Sequence, residues 1–389
     1  MISLNSNIRL FDPTSIREMY WPSAEDGDYA RRYIASLLEQ RVDRLIPNVN
    51  TSLHVLQVGD AVLPVTVNDK EYGNSYVCSP YTHYVSYARE ELYVLNSRFA
   101  RIALGGLLHA LGFLMRFSRI NRTVHINNWL LSTNLYGPLP DSGVEQAVRL
   151  LLREYPGHSL VFRSLNRTTN GPLIDLLAGL GFRMVPSRQV YLLHPSDPAA
   201  TNSKARWLVK RDYGLLAKHG YETVGPDRLT EADMPRLAEL YRLLYLDKYS
   251  TYNPQFGAPF LELAWRQKLL ELHAIRHIDT GRIDAVLGFY CRSGVMTTPV
   301  FGYDTALPQE TGLYRMLSAV LIGIAGQRGL LLHESSGAPQ FKRNRGAVAD
   351  IEYSAVYDRH LPARQRISWA LLDKLLNGFG TELLQKYKL

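Results

Sequence analysis

Between residues 284 and 361, two apolar runs, a glycine-bearing loop, a helical segment, a third apolar run, a short basic segment and a fourth run follow one another. This order constrains the fold more than any other feature of the 389-residue chain, because strands and helices alternating this way build a sheet with helices packed on it. The first two runs, 284–293 (DAVLGFYCRS) and 295–304 (VMTTPVFGYD), are rich in the branched and aromatic types that favour strands, and Gly294 between them suits a hairpin. Residues 313–327 place Leu313, Met316, Leu317, Val320, Leu321 and Ile324 at three- and four-residue spacing, with Gly326 and Gly329 as stop signals, so the pattern predicts a helix. Residues 330–334 (LLLHE) read as a short buried strand, 339–346 (PQFKRNRG) as a basic turn or helix, and 350–357 (DIEYSAVY) as the last strand.

Unpaired backbone N–H groups where the second strand hands over to the helix form an anion site, and a diphosphate is the guest such a site suits. Each N–H to phosphate hydrogen bond contributes roughly 1.5 to 3 kcal/mol and the helix dipole roughly 0.3 to 1 more. Several backbone donors therefore outweigh a single side chain such as Arg315.

The segment Gln309-Glu310-Thr311-Gly312-Leu313-Tyr314 is similar to the Q/R-x-x-G-x-G/A loop of the GNAT acyltransferases, which cradles the pyrophosphate of coenzyme A. Gln309 and Gly312 match, and Tyr314 stands where that family has Gly or Ala. The run containing Gly337, Phe341, Lys342, Arg343 and Gly346 resembles the Fem and BioF2-like branch of the superfamily. Members of that branch carry two GNAT-like halves, and some take the acyl group from aminoacyl-tRNA. The resemblance implies an α/β (α+β) fold of two GNAT-like domains, 1–195 and 196–389, each a mixed, mostly antiparallel sheet flanked by helices. It places the donor site in the second half, at Gln309, Glu310, Thr311, Gly312, Leu313, Tyr314 and Arg315. The implied activity is N-acyl transfer from an acyl-CoA co-substrate to a small-molecule or peptide amine by direct attack, without a metal. The alternatives are a Fem-type transferase using aminoacyl-tRNA, with tRNA as a partner, and a catalytically silent GNAT-like binding module.

An upstream half is fainter. Residues 122–132 (RTVHINNWLLS) read as a strand, 143–153 as a helix, 158–164 as a strand, 170–182 as a helix ending L-G-F, and 185–194 as a strand. The loop 134–142 holds two prolines, which offer no N–H donor, so this half is expected to be structural or acceptor-binding. Residues 53–58, 61–67, 74–88 and 91–95 suggest antiparallel strands, with Pro64 confining its strand to an edge or a bulge. Helical patches are expected within residues 1–45, and residues 363–389 read as a helix pair broken near Gly378 and Gly380.

Amide formation needs a neutral amine, a route for its proton and donors for the developing oxyanion. Glu334, ending the strand after the helix, is the candidate base, with Glu352 and Asp304 behind it. Tyr353, Tyr357 and Tyr303 are candidates for the acid. Residues 234–267 read as two helices with a turn between them; in a GNAT half these form the acceptor wall, which assigns Tyr245, Tyr249 and Tyr252 to substrate. Ser335 and Ser336 are placed to contact donor or acceptor. The basic clusters at 204–211 and 342–345, with Lys342 and Arg343, are either solvated surface or an attraction for a polyanion, within a net charge of +8. A serine-hydrolase reading lacks its G-x-S-x-G elbow. Cys78 and Cys291 have no metal-ligand spacing and read as buried free thiols, and the histidines show no metal pattern. No apolar run reaches the ~18 residues of a membrane span, no signal pattern opens the chain, and a cytoplasmic location is the expectation.

Overall fold

The computed structural model describes residues 8–23, 25–94, 97–198 and 201–380. It divides into two compact units, residues 8–187, 252–254 and 352–380 in the first and 188–251 with 255–351 in the second. In the first, β1 (Ile8–Phe11), β2 (Ser52–Val58), β3 (Ala61–Asn68) and β4 (Thr123–Ile126) pair antiparallel in sequence, and β4 then runs parallel to β5 (Ser159–Asn166). Residues 352–357 complete this sheet antiparallel to β5.

The second unit repeats that plan. It begins within β6 (Arg183–Leu193), whose residues 192 and 193 pair with a later strand. Strands β7 (Tyr221–Val224), β8 (Glu271–His277), β9 (Ile283–Arg292) and β10 (Val295–Tyr303) form an antiparallel run. Strand β11 (Leu331–His333) is parallel to β10 and antiparallel to β6, and β12 (Val348–Tyr357) closes the strand count. Each unit is thus a mixed, mostly antiparallel sheet flanked by helices, the expected α/β class. Each takes its closing strand from the end of the other sequence half: 352–357 in the first, 188–193 in the second.

Apolar burial holds each unit. Leu56, Val65, Val124, Leu151, Leu160 and Phe162 centre the first core, and Leu287, Met296, Met316, Leu317 and Leu332 the second. A fully buried side chain of this kind contributes roughly 1.5 to 3 kcal/mol.

Most elements lie where the periodicity places them, including the β9–β10 hairpin turned by Ser293 and Gly294, both at positive φ, and the helix Leu313–Gln327. Four expectations are corrected. Residues 74–94 are not strands: Ser79 accepts from the Thr82 amide and Pro80 follows it as the first helical residue, opening a helical run through the wide π-helical turn Thr82–Tyr87. Residues 127–132 are buried irregular chain after a strand that stops at Ile126, tied by Trp129 Nε1 to Asn127 at 2.7 Å and by Asn128 to Thr66 at 2.8 Å. Pro64 sits in β3 between β2 and β4, and is tolerated because β4 pairs only with residues 65–68; beyond its end the Asn128 amide reaches the Pro64 carbonyl. Cys291 is exposed, while Cys78 is buried, which pushes its thiol up to about 12.

A fifth correction concerns apolar length. The helix Arg98–Phe117 is 20 residues long and apolar enough to cross a membrane, with little of it buried. Counting uninterrupted apolar runs misses it, because Arg101 and His109 interrupt a stretch whose mean hydropathy still reaches 1.3.

Candidate functional site

The site in the second unit is built by a strand pair that parts. β10 pairs with β11 only through residues 295–297, and its register with β9 shifts between Thr297 and Val300. From there β10 continues along β9 to Tyr303, while the Glu334 amide donates to the Tyr191 carbonyl at 2.8 Å. A bulge of this kind re-aims a strand and its side chains. Past the divergence, no described pairing joins residues 298–303 of β10 to the chain that follows β11.

Aromatic rings pack along this end of β10. Phe301 and Tyr303, two apart on β10 and so on one face, lie 5.5 and 6.3 Å from Tyr314, whose ring meets Phe341 edge-on at 4.8 Å. The helix Met234–Tyr241 runs directly over Gly302: a Cβ there would stand 2.4 Å from the Leu240 carbonyl oxygen, so only glycine admits the helix. The wide turn Arg242–Tyr249 follows and delivers Tyr245, stacked on Tyr241 at 4.9 Å, and Tyr249, edge-on to Tyr245 at 6.0 Å. Burial raises the Tyr314 hydroxyl above its ordinary value, and the nearby Glu334, Tyr249 and Tyr245 push it the same way.

Glu334 carries the unusual chemistry. Its Oε2 is buried and, among the described residues, has no hydrogen-bond partner. Burial pushes its carboxyl up to about 7 against the opposing pull of Lys342 and Arg345. An ionisable group buried without a hydrogen bond is costly, and such groups concentrate where chemistry is done.

Lys342 holds the Glu334 backbone. Lys342 is 5% exposed, and its ammonium donates to the carbonyls of Glu334 at 2.6 Å, Ser335 at 3.3 Å and Ser336 at 2.6 Å. This turn puts Ser335 (φ 59°), Gly337 (φ 79°) and Ala338 (φ 46°) in the left-handed region, a strain of roughly 1 to 3 kcal/mol for each residue other than glycine. Burial pushes Lys342 down to about 8 against the opposing pull of Glu334, and its ammonium is spent on three carbonyls. Lys342 therefore braces the turn, and its donors are not available to a substrate. Arg343 is likewise engaged, donating to the Tyr191 hydroxyl at 3.2 Å. The 342–345 cluster is neither wholly solvated nor free: Arg345, 4% exposed, packs on Phe341 and pairs with Asp212.

The proposed donor loop is a single 3-10 turn, Gln309–Thr311, leading into the helix Leu313–Gln327. Gly312 caps that helix at φ 78° with no side-chain cap, and the first helical bond runs from Met316 N–H to the Gly312 carbonyl. The amides of Leu313, Tyr314 and Arg315 are the helix's first donors, which the helix itself cannot satisfy. Gln309 and Glu310 are exposed, whereas Gly312 is buried with Leu215 Cδ1 2.9 Å from where a Cβ would stand. The Arg315 guanidinium is committed to Asp212 at 3.1 Å. Asp212 is fully buried and also binds Arg211 and Arg345, so it is the hub of this end of the unit. Asp212 follows the basic cluster 204–211 and carried no signal of its own in the sequence.

The candidates do not all assemble in one unit. Glu334, Tyr303, Tyr245 and Tyr249 share the second with residues 309–315, whereas Tyr252, Tyr353 and Tyr357 belong to the first. The Tyr252 carbonyl accepts from the Tyr76 amide at 3.1 Å and the Ser75 hydroxyl at 2.9 Å. Tyr353 borders a cavity of about 480 Å³ with Arg167, Arg183 and Arg359, and Tyr357 stacks on His360 at 5.7 Å. Of the weaker bases, Glu352 is buried opposite Asn166 in the first unit, and Asp304 is held below the usual carboxylate range by Arg236 at 2.7 Å.

No family model matches the chain, and no curated protein does. Solved structures similar to it include L-PGS from Bacillus licheniformis, at 14% identity and TM-score 0.45 over 60% of this chain and 77% of that one. FemX is similar at 8% identity and TM-score 0.43, over 60% of this chain and 78% of that one. A tandem GNAT protein from the clavulanic acid biosynthesis pathway is similar at 10% identity and TM-score 0.38, over 90% of this chain and 98% of that one. At these identities and scores the functional argument rests on the site's own geometry.

Proposed function

We propose that the second unit transfers an acyl group from a carrier to an amine, with Glu334 as general base. The observation that carries this reading is the buried Glu334 Oε2 without a hydrogen-bond partner among the described residues, on a carboxyl raised to about 7, next to where β10 leaves β11. A base whose pKa matches the working pH is about half ionised there and can take a proton from an attacking amine. The surrounding rings keep water from the reacting centre, and Lys342 fixes the backbone that carries the base. The proton of the amine passes to Glu334 as the nitrogen bonds to the acyl carbon, and the carrier departs with its own oxygen or sulfur. Tyr303, whose hydroxyl lies 3.4 Å from Lys248 Nζ, is the candidate to protonate that leaving atom.

Two donor chemistries fit an uncapped helix start: the pyrophosphate of acyl-CoA, held by the amides of Leu313, Tyr314 and Arg315, and the terminal phosphates of an aminoacyl-tRNA. The packing of Tyr314 on Phe341 and of Leu215 against Gly312 crowds the helix start and favours the second. Incubating the whole chain with acyl-CoA or aminoacyl-tRNA and a panel of amines, with product read by mass spectrometry, distinguishes them. Product with either donor that Glu334→Gln abolishes supports the reading. Absence of product with both, together with no thermal shift by either, returns the chain to a silent binding module.

A further inference from the structure

Residues 69–122, between β3 and β4, have no counterpart in the second unit, where Ser293 and Gly294 alone join β9 to β10. This insertion carries the helix Arg98–Phe117, started by Ser97, whose hydroxyl accepts from the Ala100 amide. One side of the helix packs into the first unit through Leu108, Gly112 and Met115. At Gly112 the approach is close: a Cβ would lie 3.2 Å from Val85 Cγ1 and 3.3 Å from the Tyr81 hydroxyl.

The opposite side is apolar and open. Phe99 is 83% exposed, Ile102 67%, Leu107 54%, Phe113 74% and Phe117 49%. Residues 99, 102, 113 and 117 are separated by three, eleven and four positions, which sets them along one helical face. Folded chains seldom leave so continuous an apolar surface without a partner. The helix has no aspartate or glutamate; Arg98, Arg101 and Arg116 lie within it and Arg119 follows. Arg364 adds a guanidinium 4.2 Å over the ring of the half-exposed Phe117.

We propose that this helix lies flat in the surface of an anionic lipid membrane, its phenylalanines among the acyl chains and its arginines on the phosphates. The charge decides between occupants. A second copy across a two-fold axis would set one all-basic helix against another, whereas anionic headgroups neutralise it. The helix does not span: its Leu108 and Met115 side is packed on the protein, and Arg98 and Arg101 are costly inside a bilayer.

The test is co-sedimentation of the full chain with vesicles of phosphatidylcholine alone or mixed with phosphatidylglycerol, alongside light scattering of the protein without lipid. The expected result is binding at least tenfold tighter to the anionic vesicles. The double variant I102E/F113E lowers that binding at least tenfold with an unchanged melting temperature, and R98Q/R101Q removes the preference for anionic lipid. The proposal is overturned if the chain binds neither vesicle, or if I102E/F113E sediments as well as the parent. It is also overturned if the chain is a dimer that this variant converts to monomer, which makes the face a contact between copies.

Discussion

Glu334 links stability to activity through a single proton. In the folded chain its carboxyl titrates at about 7, against 4.5 for the ordinary group, so between those values the folded state keeps a proton that the unfolded state has released. Stability therefore falls as pH rises from 4.5 through 7, opposite to the behaviour of a salt-bridged carboxylate. Glu334→Gln cannot ionise and should remove this slope. Urea denaturation at pH 8 should find the variant more stable than the parent by roughly 3 kcal/mol, and at pH 4.5 the two should nearly coincide. Equal stabilities at pH 8 would mean that the carboxyl is solvated. Sequence named the residue from its place at a strand end, but its lack of a partner depends on Lys342, whose donors all turn to backbone carbonyls.

At the scale of elements, the helix Leu313–Gln327 depends on Gly312 for its start. A side chain at that position meets both the φ of 78° and Leu215 Cδ1 at 2.9 Å. Gly312→Val should lower stability by about 1 to 3 kcal/mol in thermal denaturation, and weaken donor binding at least tenfold in a thermal-shift titration. Normal binding by that variant would place the donor elsewhere. The hairpin and this helix were legible because their apolar periods are unambiguous. Residues 74–94 were not: tyrosine and valine favour strands locally, and the helix start at Ser79 and Pro80 outweighs them. The Asn127 to Asn134 region misled in another way, since its polar side chains satisfy buried backbone groups that a ladder would otherwise pair.

For the whole molecule, the repeated strand plan was foreshadowed by the order of residues 284–361, while the composition of each unit was not. The expected halves are 1–195 and 196–389, while strand 352–357 completes the first compact unit and 188–193 the second. Pairing between strands so far apart in sequence leaves no local signal. A fragment ending at residue 195 lacks a strand of its sheet and the helix Ala363–Leu375, so it should show no cooperative melting by circular dichroism. A cooperative melt would show that the first unit closes without them. The most direct test of the account is the pH dependence of kcat/KM for acyl transfer to an amine by the whole chain and by Glu334→Gln. The account predicts an ascending limb with a pKa of about 7 in the parent, absent in the variant, whose rate falls by roughly 10²- to 10⁴-fold. The same limb and rate in both proteins would contradict it.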